Sequence, residues 1–111
     1  MNTQEMIKKV AEYFEWNKLG GAWLIECVGT CPYDMTEGQS LFLFIAYAEA
    51  EFSQKGVDII DNLEIQAYIR TGELEVTATD CYLYDKTDPI SKATAKLRCM
   101  CAVIDKIEGG E

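Results

Sequence analysis

The chain has 111 residues, a length typical of one domain that buries a single hydrophobic core. Apolar residues make up 49% and charged residues 26%, which excludes the charge-rich, apolar-poor composition of disordered chains. The net charge of −9 repels phosphate backbones, so we expect no direct binding to nucleic acid and instead a basic protein as partner. We predict one domain over residues 1–107 and a loose tail over residues 108–111.

The acidic residues are concentrated in the middle of the chain. Residues 19–85 hold twelve acidic side chains and only two basic ones, Lys55 and Arg70. The N-terminus, with Lys8 and Lys9, lacks the apolar core of a secretory signal, and the apolar run over residues 41–48 is too short to cross a bilayer. The expectation is a cytoplasmic protein without membrane contact, whose five cysteines are mostly small buried thiols.

The first predicted element is an amphipathic helix that Thr3 caps and that ends near Trp16. Its apolar residues recur at steps of three and four, namely Met6, Ile7, Val10, Ala11 and Phe14. Residues 22–28 follow as a predicted strand, because Trp23, Ile25 and Cys27 alternate with other residues along one face. Residues 29–39 contain glycine and proline without a periodic pattern, which predicts a loop.

Residues 41–55 fit two interpretations. As a helix, Ser40 caps the segment, Gly56 ends it, and one face is formed by Leu41, Phe44, Ile45, Ala48 and Phe52. As a strand, alternate residues from Phe42 to Phe52 line one side. Alanine and glutamate dominate the second half, so helix is favoured.

A hairpin is predicted next, with Thr71 and Gly72 as a two-residue turn. This turn places Ile69 opposite Leu74, Ala67 opposite Val76 and Ile65 opposite Ala78, which makes one face apolar. The other face is polar and pairs Arg70 with Glu73, Tyr68 with Glu75, Gln66 with Thr77 and Glu64 with Thr79.

The last element is a helix capped by Asp88, with Pro89 at its first position. Its inner stripe consists of Ile90, Ala93, Leu97, Met100, Cys101 and Ile104. These elements together predict an α+β fold, in which a small antiparallel sheet around the Thr71 and Gly72 hairpin packs against N-terminal and C-terminal helices and a central one.

Catalytic chemistry has little support in the sequence. The chain has no histidine, which removes the usual acid/base group near neutral pH and histidine-ligated metal. Cys99 and Cys101, two residues apart on a helix, project in different directions, so a four-cysteine zinc site is not expected. We predict no catalytic residue, metal or cofactor, and keep a hydrolase built on Asp58, Asp61 and nearby carboxylates only as a third hypothesis.

The predicted polar face of the hairpin is the candidate partner-binding site. It would present Glu64, Glu73 and Glu75 around Tyr68, with Glu26 adjacent. Carboxylates at strand spacing, roughly 5 to 7 Å apart, match the spacing of phosphates along a nucleic acid. Such a plate of carboxylates could occupy a basic groove that normally holds nucleic acid.

The C-terminal segment, an Asp88-Pro89 start followed by an alanine-rich helix over residues 88–103, resembles the last helix of small phage and prophage accessory proteins of the ABA-sandwich type. The resemblance implies a mobile-element setting, in which small acidic proteins block a defence nuclease or sequester its nucleotide signal. The leading hypothesis is therefore an anti-defence, anti-CRISPR-like inhibitor that mimics nucleic acid. The alternative is a small oligomeric protein that binds or sequesters a nucleotide-like ligand in an aromatic-lined pocket, and a homo-oligomer is left open for the inhibitor as well.

Overall fold

The computed structural model describes residues 2–19, 22–25, 29–32 and 38–109, with side chains at 2–16 and 41–109. The elements follow one another as α1 (Thr3–Tyr13), β1 (Asn17–Leu19), β2 (Ala22–Ile25), β3 (Gly29–Pro32), α2 (Gly38–Gln54), β4 (Val57–Asn62), β5 (Glu64–Arg70), β6 (Val76–Ala78) and α3 (Pro89–Gly109). The predicted α+β class is confirmed. Within these ranges no helix is long and apolar enough to cross a membrane.

The strands form two antiparallel sheets of three strands each, ordered β1-β2-β3 and β4-β5-β6. The second sheet carries helices on one side only: α3 lies against β5, α2 against β4, and α1 packs on α3. The first sheet contacts α2 through β3. Residues 29–32 thus form a strand where a loop was predicted, and the strand predicted over residues 22–28 is described only as far as Ile25.

Helix α1 begins after Asn2, whose side chain accepts a hydrogen bond from the Glu5 amide at 2.8 Å. Asn2 therefore caps the helix, whereas the sequence suggested Thr3. The predicted apolar face is confirmed, because Met6, Ile7, Val10 and Ala11 are all buried. The backbone of Trp16 donates to the Ala11 carbonyl at 2.9 Å, which closes the helix end.

Residues 41–55 are helical as favoured, apart from Lys55, because α2 ends at Gln54. The predicted cap is wrong, because the helix begins at Gly38 and Ser40 lies inside it. The five residues of its predicted inner face are all buried, namely Leu41, Phe44, Ile45, Ala48 and Phe52. Gly56 has a φ of +82°, a left-handed conformation that most side chains disfavour and that ends the helix. The chain then turns directly into β4, a strand that the sequence analysis missed.

The predicted hairpin exists, but its register is wrong. Tyr68 lies opposite Ala78, Ile69 opposite Thr77, and Arg70 opposite Val76. Residues 71–75 form the connection, closed by the Thr71 amide donating to the Glu75 carbonyl at 3.0 Å. The strand partners shift by three positions, and the apolar residues assigned to the core on the second strand face solvent instead.

Helix α3 begins as predicted, with the Asp88 carboxylate accepting from the Ile90 amide at 3.0 Å. Its inner stripe is buried at Ala93, Leu97, Met100, Cys101 and Ile104, while Ile90 is half-buried. The helix continues to Gly109, so Glu108 and Gly109 belong to it and not to a loose tail. Residues 110–111 lie outside the described part of the chain.

Candidate functional site

The side of the second sheet that faces away from the helices is the candidate site, and we call it the open sheet face. Burial alternates along β5: Ile65, Ala67 and Ile69 point into the core, and the residues between them point out. Because directly opposed residues share a face, the register assigns the neighbours of β4 and β6 to the same side. The open sheet face thus consists of Asp58, Ile60, Asn62, Glu64, Gln66, Tyr68, Arg70, Val76 and Ala78.

Tyr68 lies at the centre of this face, between Asp58 of β4 and Ala78 of β6. Its side chain is 40% exposed, and its hydroxyl donates to the Gln66 side-chain oxygen at 3.1 Å. The Gln66 amide in turn donates to the Thr79 carbonyl at 2.9 Å. This chain of hydrogen bonds orders an exposed aromatic ring before any partner binds, which lowers the entropic cost of using it as an anchor.

Apolar side chains flank the central tyrosine. Ile60 is 41% exposed and Val76 is 59% exposed, on the two edge strands of the sheet. Ile60 lies opposite Gln66 and Val76 opposite Arg70, so the three exposed groups follow a diagonal across the strands, and we call them the apolar centre. Exposed aromatic residues of this kind are enriched at protein interfaces. Sequence reasoning missed both residues, since β4 was not recognised and Val76 was assigned to the core.

The charges on the open sheet face are partly paired. Arg70 and Asp58 approach to 3.5 Å between guanidinium nitrogen and carboxylate oxygen, but both side chains are well exposed, so the pair contributes little to stability. Glu64 accepts a hydrogen bond from the Cys81 thiol, which raises the pKa of that thiol above its ordinary value.

The predicted carboxylates do not form one plate. Glu64 and Tyr68 lie on the open sheet face as expected, but Glu73 and Glu75 belong to the 71–75 connection, because β6 begins only at Val76. Both are exposed, and no basic group approaches either one within the described part of the chain. They extend the negative charge to the rim of the face, and Glu26 lies outside the described residues.

Residues 57–80 remain strongly acidic as a unit. They contain six carboxylates, Asp58, Asp61, Glu64, Glu73, Glu75 and Asp80, against the single base Arg70. Asp61 and Asp58 have cationic partners, whereas the other four make no ion pair with the described side chains. The arrangement is therefore an apolar centre beside the Asp58 and Arg70 ion pair, with carboxylates at the rim that have no such partner.

The residues of the hydrolase hypothesis do not converge. Asp58 lies on the open sheet face, while Asp61 lies opposite Ile65 on the inner side. Asp61 accepts a hydrogen bond from the Tyr84 hydroxyl at 2.7 Å and pairs with Lys92 of α3, and these two contacts hold its pKa below the ordinary value. Among the residues described, no group of three or more metal-ligating side chains occurs.

The structure describes the side chains of three cysteines. Cys99 and Cys101 are buried on α3, and Cys81 is exposed. Burial raises the pKa of Cys101 to about 11 and also raises the pKa of Cys99, so both remain protonated thiols near neutral pH. These two agree with the interpretation of the cysteines as small buried hydrophobes.

Comparison with known proteins finds no relative. No protein-family model matches the chain, and neither a curated protein nor a solved structure is significantly similar to it. The resemblance of the 88–103 segment to phage accessory proteins therefore stays a prediction.

Proposed function

We propose that this chain is a non-enzymatic acidic binding protein whose open sheet face inhibits a basic, nucleic-acid-handling protein, as an anti-defence factor of a mobile element would. The observation that carries the proposal is the composition of that face. The exposed, hydrogen-bonded Tyr68 lies on a diagonal with Ile60 and Val76, and carboxylates without ion-pair partners among the described side chains lie at the rim. Each part has a separate physical role in binding.

The negative rim supports the choice of a basic partner. Glu73, Glu75 and Asp80 are exposed and have no cationic neighbour among the described side chains, so their field extends into solvent. Opposite charge on a partner raises the rate of association and rejects acidic competitors, including other copies of this chain. Surfaces that hold nucleic acid are basic in this way.

The apolar centre supports stable binding beyond electrostatic attraction. Tyrosine combines a large contact area with few rotatable bonds, and such residues supply much of the affinity at protein interfaces. Burying Tyr68 with Ile60 and Val76 removes apolar surface from water at roughly 25 cal/mol per Å². The carboxylates then determine which partner binds, and the apolar residues determine how slowly the complex dissociates.

The proposal is tested by competition. A basic nucleic-acid-binding protein captured from the native host on the immobilised chain is assayed for binding to its nucleic acid in the presence of the free chain. We expect the free chain to inhibit nucleic-acid binding, with an inhibition constant that rises steeply with salt concentration.

Two pairs of variants make the test specific. Tyr68→Ser with Val76→Ser removes the apolar centre and should abolish inhibition, whereas Leu43→Ser, a comparable change at an exposed leucine of α2, should not alter it. Glu73→Gln with Glu75→Gln should weaken inhibition more than Glu5→Gln with Glu12→Gln, the same charge change on α1. Equal effects of the two charge pairs, or inhibition that is insensitive to salt, would refute the proposal.

A further inference from the structure

A cleft of about 590 Å³ opens at the end of the second sheet where the C-terminal ends of the three helices meet. Its wall is formed by Tyr13 of α1, Lys55 after α2, Arg70 and Thr77 of the sheet, and Lys106 and Ile107 of α3. This volume lies within the range of small-molecule sites in proteins. The cleft borders the open sheet face and shares Arg70 with it, whereas its other two strand residues, Ile69 and Thr77, belong to the inner side of the sheet.

The charge of the cleft is opposite to that of the chain. Three of the ten basic residues, Lys55, Arg70 and Lys106, line it, and none of the acidic residues that the structure describes does. Lys8, Lys9, Lys92 and Lys96 each pair with a carboxylate. By contrast, Lys55 and Lys106 have no carboxylate within 4.0 Å among the side chains that the structure describes.

Negative groups near the cleft do not cancel this charge. Asp58 approaches Arg70 at 3.5 Å, but both groups are exposed and hydrated. Glu108 lies close enough to Tyr13 to contribute to its raised pKa, although burial of the ring is the larger cause. Two lysines therefore remain available to an anion, and Arg70, whose guanidinium approaches Asp58, lines the same cleft.

Helix dipoles offer a competing explanation for the two lysines. Lys106 lies in the last turn of α3 and Lys55 directly follows α2, positions where a cation offsets the partial negative charge of a helix end. That effect does not account for Arg70, which belongs to a strand, nor for the presence of all three residues in the wall of one cleft. The two explanations also differ in what they predict for a ligand.

The rest of the lining is apolar or hydroxylic. Ile107 is 41% exposed although it is a large apolar residue, and Lys55 Nζ lies 6.0 Å from the centroid of the Tyr13 ring. The half-buried Thr77 side chain makes no hydrogen bond with the described residues, so its hydroxyl is available. Cationic groups, a hydroxyl donor and an apolar wall together match a phosphate attached to a compact organic group.

We propose that this cleft binds a small organic phosphate monoester of about the size of a nucleoside monophosphate. Lys55, Lys106 and Arg70 contact the phosphate, and the organic group lies against Ile107 and the exposed edge of Tyr13. The site can be tested independently of the proposed inhibition, since none of the residues substituted in that competition test lines the cleft.

The experiment is calorimetric titration of the full chain at low salt with four probes: adenosine monophosphate, phenyl phosphate, inorganic phosphate and adenosine. We expect both organic phosphates to bind, and adenosine to bind at least tenfold more weakly because it lacks the charge. In NMR spectra of the isotope-labelled chain, the backbone amide signals of Thr77 and Ile107 should shift during the titration. If neither organic phosphate binds, the proposal is wrong. If inorganic phosphate binds as tightly as phenyl phosphate, the claim that the organic group contributes to binding is wrong.

Matched variants separate this site from general electrostatics and from helix dipoles. Lys55→Gln with Lys106→Gln should weaken phenyl phosphate binding at least tenfold, since it removes two cationic hydrogen-bond donors to the phosphate. Lys86→Gln with Arg98→Gln makes the same charge change outside the cleft and should leave binding unaltered. Equal weakening by both pairs, or a loss of stability in the first pair with no change in affinity, contradicts the site.

Discussion

The hydroxyl of Tyr84 donates to Asp61 Oδ1 at 2.7 Å, and the same carboxylate pairs with Lys92 at the start of α3. Lys92 Nζ also lies 6.0 Å from the centroid of the Tyr84 ring. These three residues come from β4, from the segment that follows β6, and from α3. Their contacts therefore tie the edge of the second sheet to the first turns of its covering helix.

This cluster predicts a defined pH dependence of stability. The hydrogen bonds from Lys92 and Tyr84 lower the pKa of Asp61 below 3.8, so the stabilisation is present above that pH and is lost as the pH falls through the lower, folded-state pKa. The pKa of Lys92 and of Tyr84 is raised by Asp61, so their contribution is lost at the alkaline end as the pH rises through their folded-state pKa.

Asp61→Asn should accordingly cost about 0.5–1 kcal/mol of unfolding free energy near neutral pH, because the groups are partly exposed. The difference from the wild type should vanish in acid. Urea unfolding at a series of pH values measures it, and Tyr84→Phe, which keeps the ion pair, should show a smaller loss. A difference that persists at the acid end would contradict the assignment.

The hairpin register predicts contrasting effects of two apolar substitutions. Ile69 is 5% exposed and packs in the core, so Ile69→Ala should cost about 2–5 kcal/mol. Leu74 is 97% exposed in the 71–75 connection, so Leu74→Ala should stay within about 0.5 kcal/mol of the wild type. Denaturant unfolding compares the two, and a register with Leu74 opposite Ile69 requires similar, large losses from both.

Thr79 predicts a hydrogen-bond effect that can be isolated. Its hydroxyl accepts from the Ala67 amide at 3.0 Å, in the position where a strand carbonyl would normally accept, and donates to the Asp80 carbonyl at 3.0 Å. Thr79→Val keeps the shape but leaves a buried N–H without an acceptor, which should cost about 1–3 kcal/mol. Thr79→Ser keeps the hydroxyl and should recover most of that loss in the same thermal or urea unfolding measurement.

The three placed cysteines should differ in their reaction with an alkylating reagent. Under native, mildly alkaline conditions Cys81 should be modified first, because Cys99 and Cys101 are buried and Cys101 has a pKa of about 11. Mass spectrometry of the peptides that carry each residue measures the rates. Glu64→Ala should accelerate modification of Cys81, because it removes the carboxylate that raises the pKa of this thiol. Early modification of Cys101 would contradict the burial of α3.

Much of the helical structure was predictable because its signals are local. The apolar faces of α2 and α3 follow from the spacing of apolar residues within each helix. The end of α2 at Gly56 and the cap of α3 at Asp88 depend on residues within a few positions. The α+β class follows from these elements together with one recognisable strand.

The register of the hairpin could not be predicted from local signals. The alternation of Ile65, Ala67 and Ile69 predicted the inner side of β5 correctly, since a strand's two faces alternate along its own sequence. The partner of each residue depended on the length of the connection, and a five-residue connection was indistinguishable from a two-residue turn by apolar pattern alone.

The sequence by itself determined the acidity of residues 57–80, the apolar faces of the helices and the position of Tyr68 on an outward face. Tertiary structure alone decided that Glu73 and Glu75 form a rim, that Ile60 and Val76 complete the apolar centre, and that Lys55, Arg70 and Lys106 line one cleft. The physical reason is that composition and periodicity act along the chain. Which side chains meet across strands and helix ends depends on register and on loop closure, and neither is encoded in any short stretch of residues.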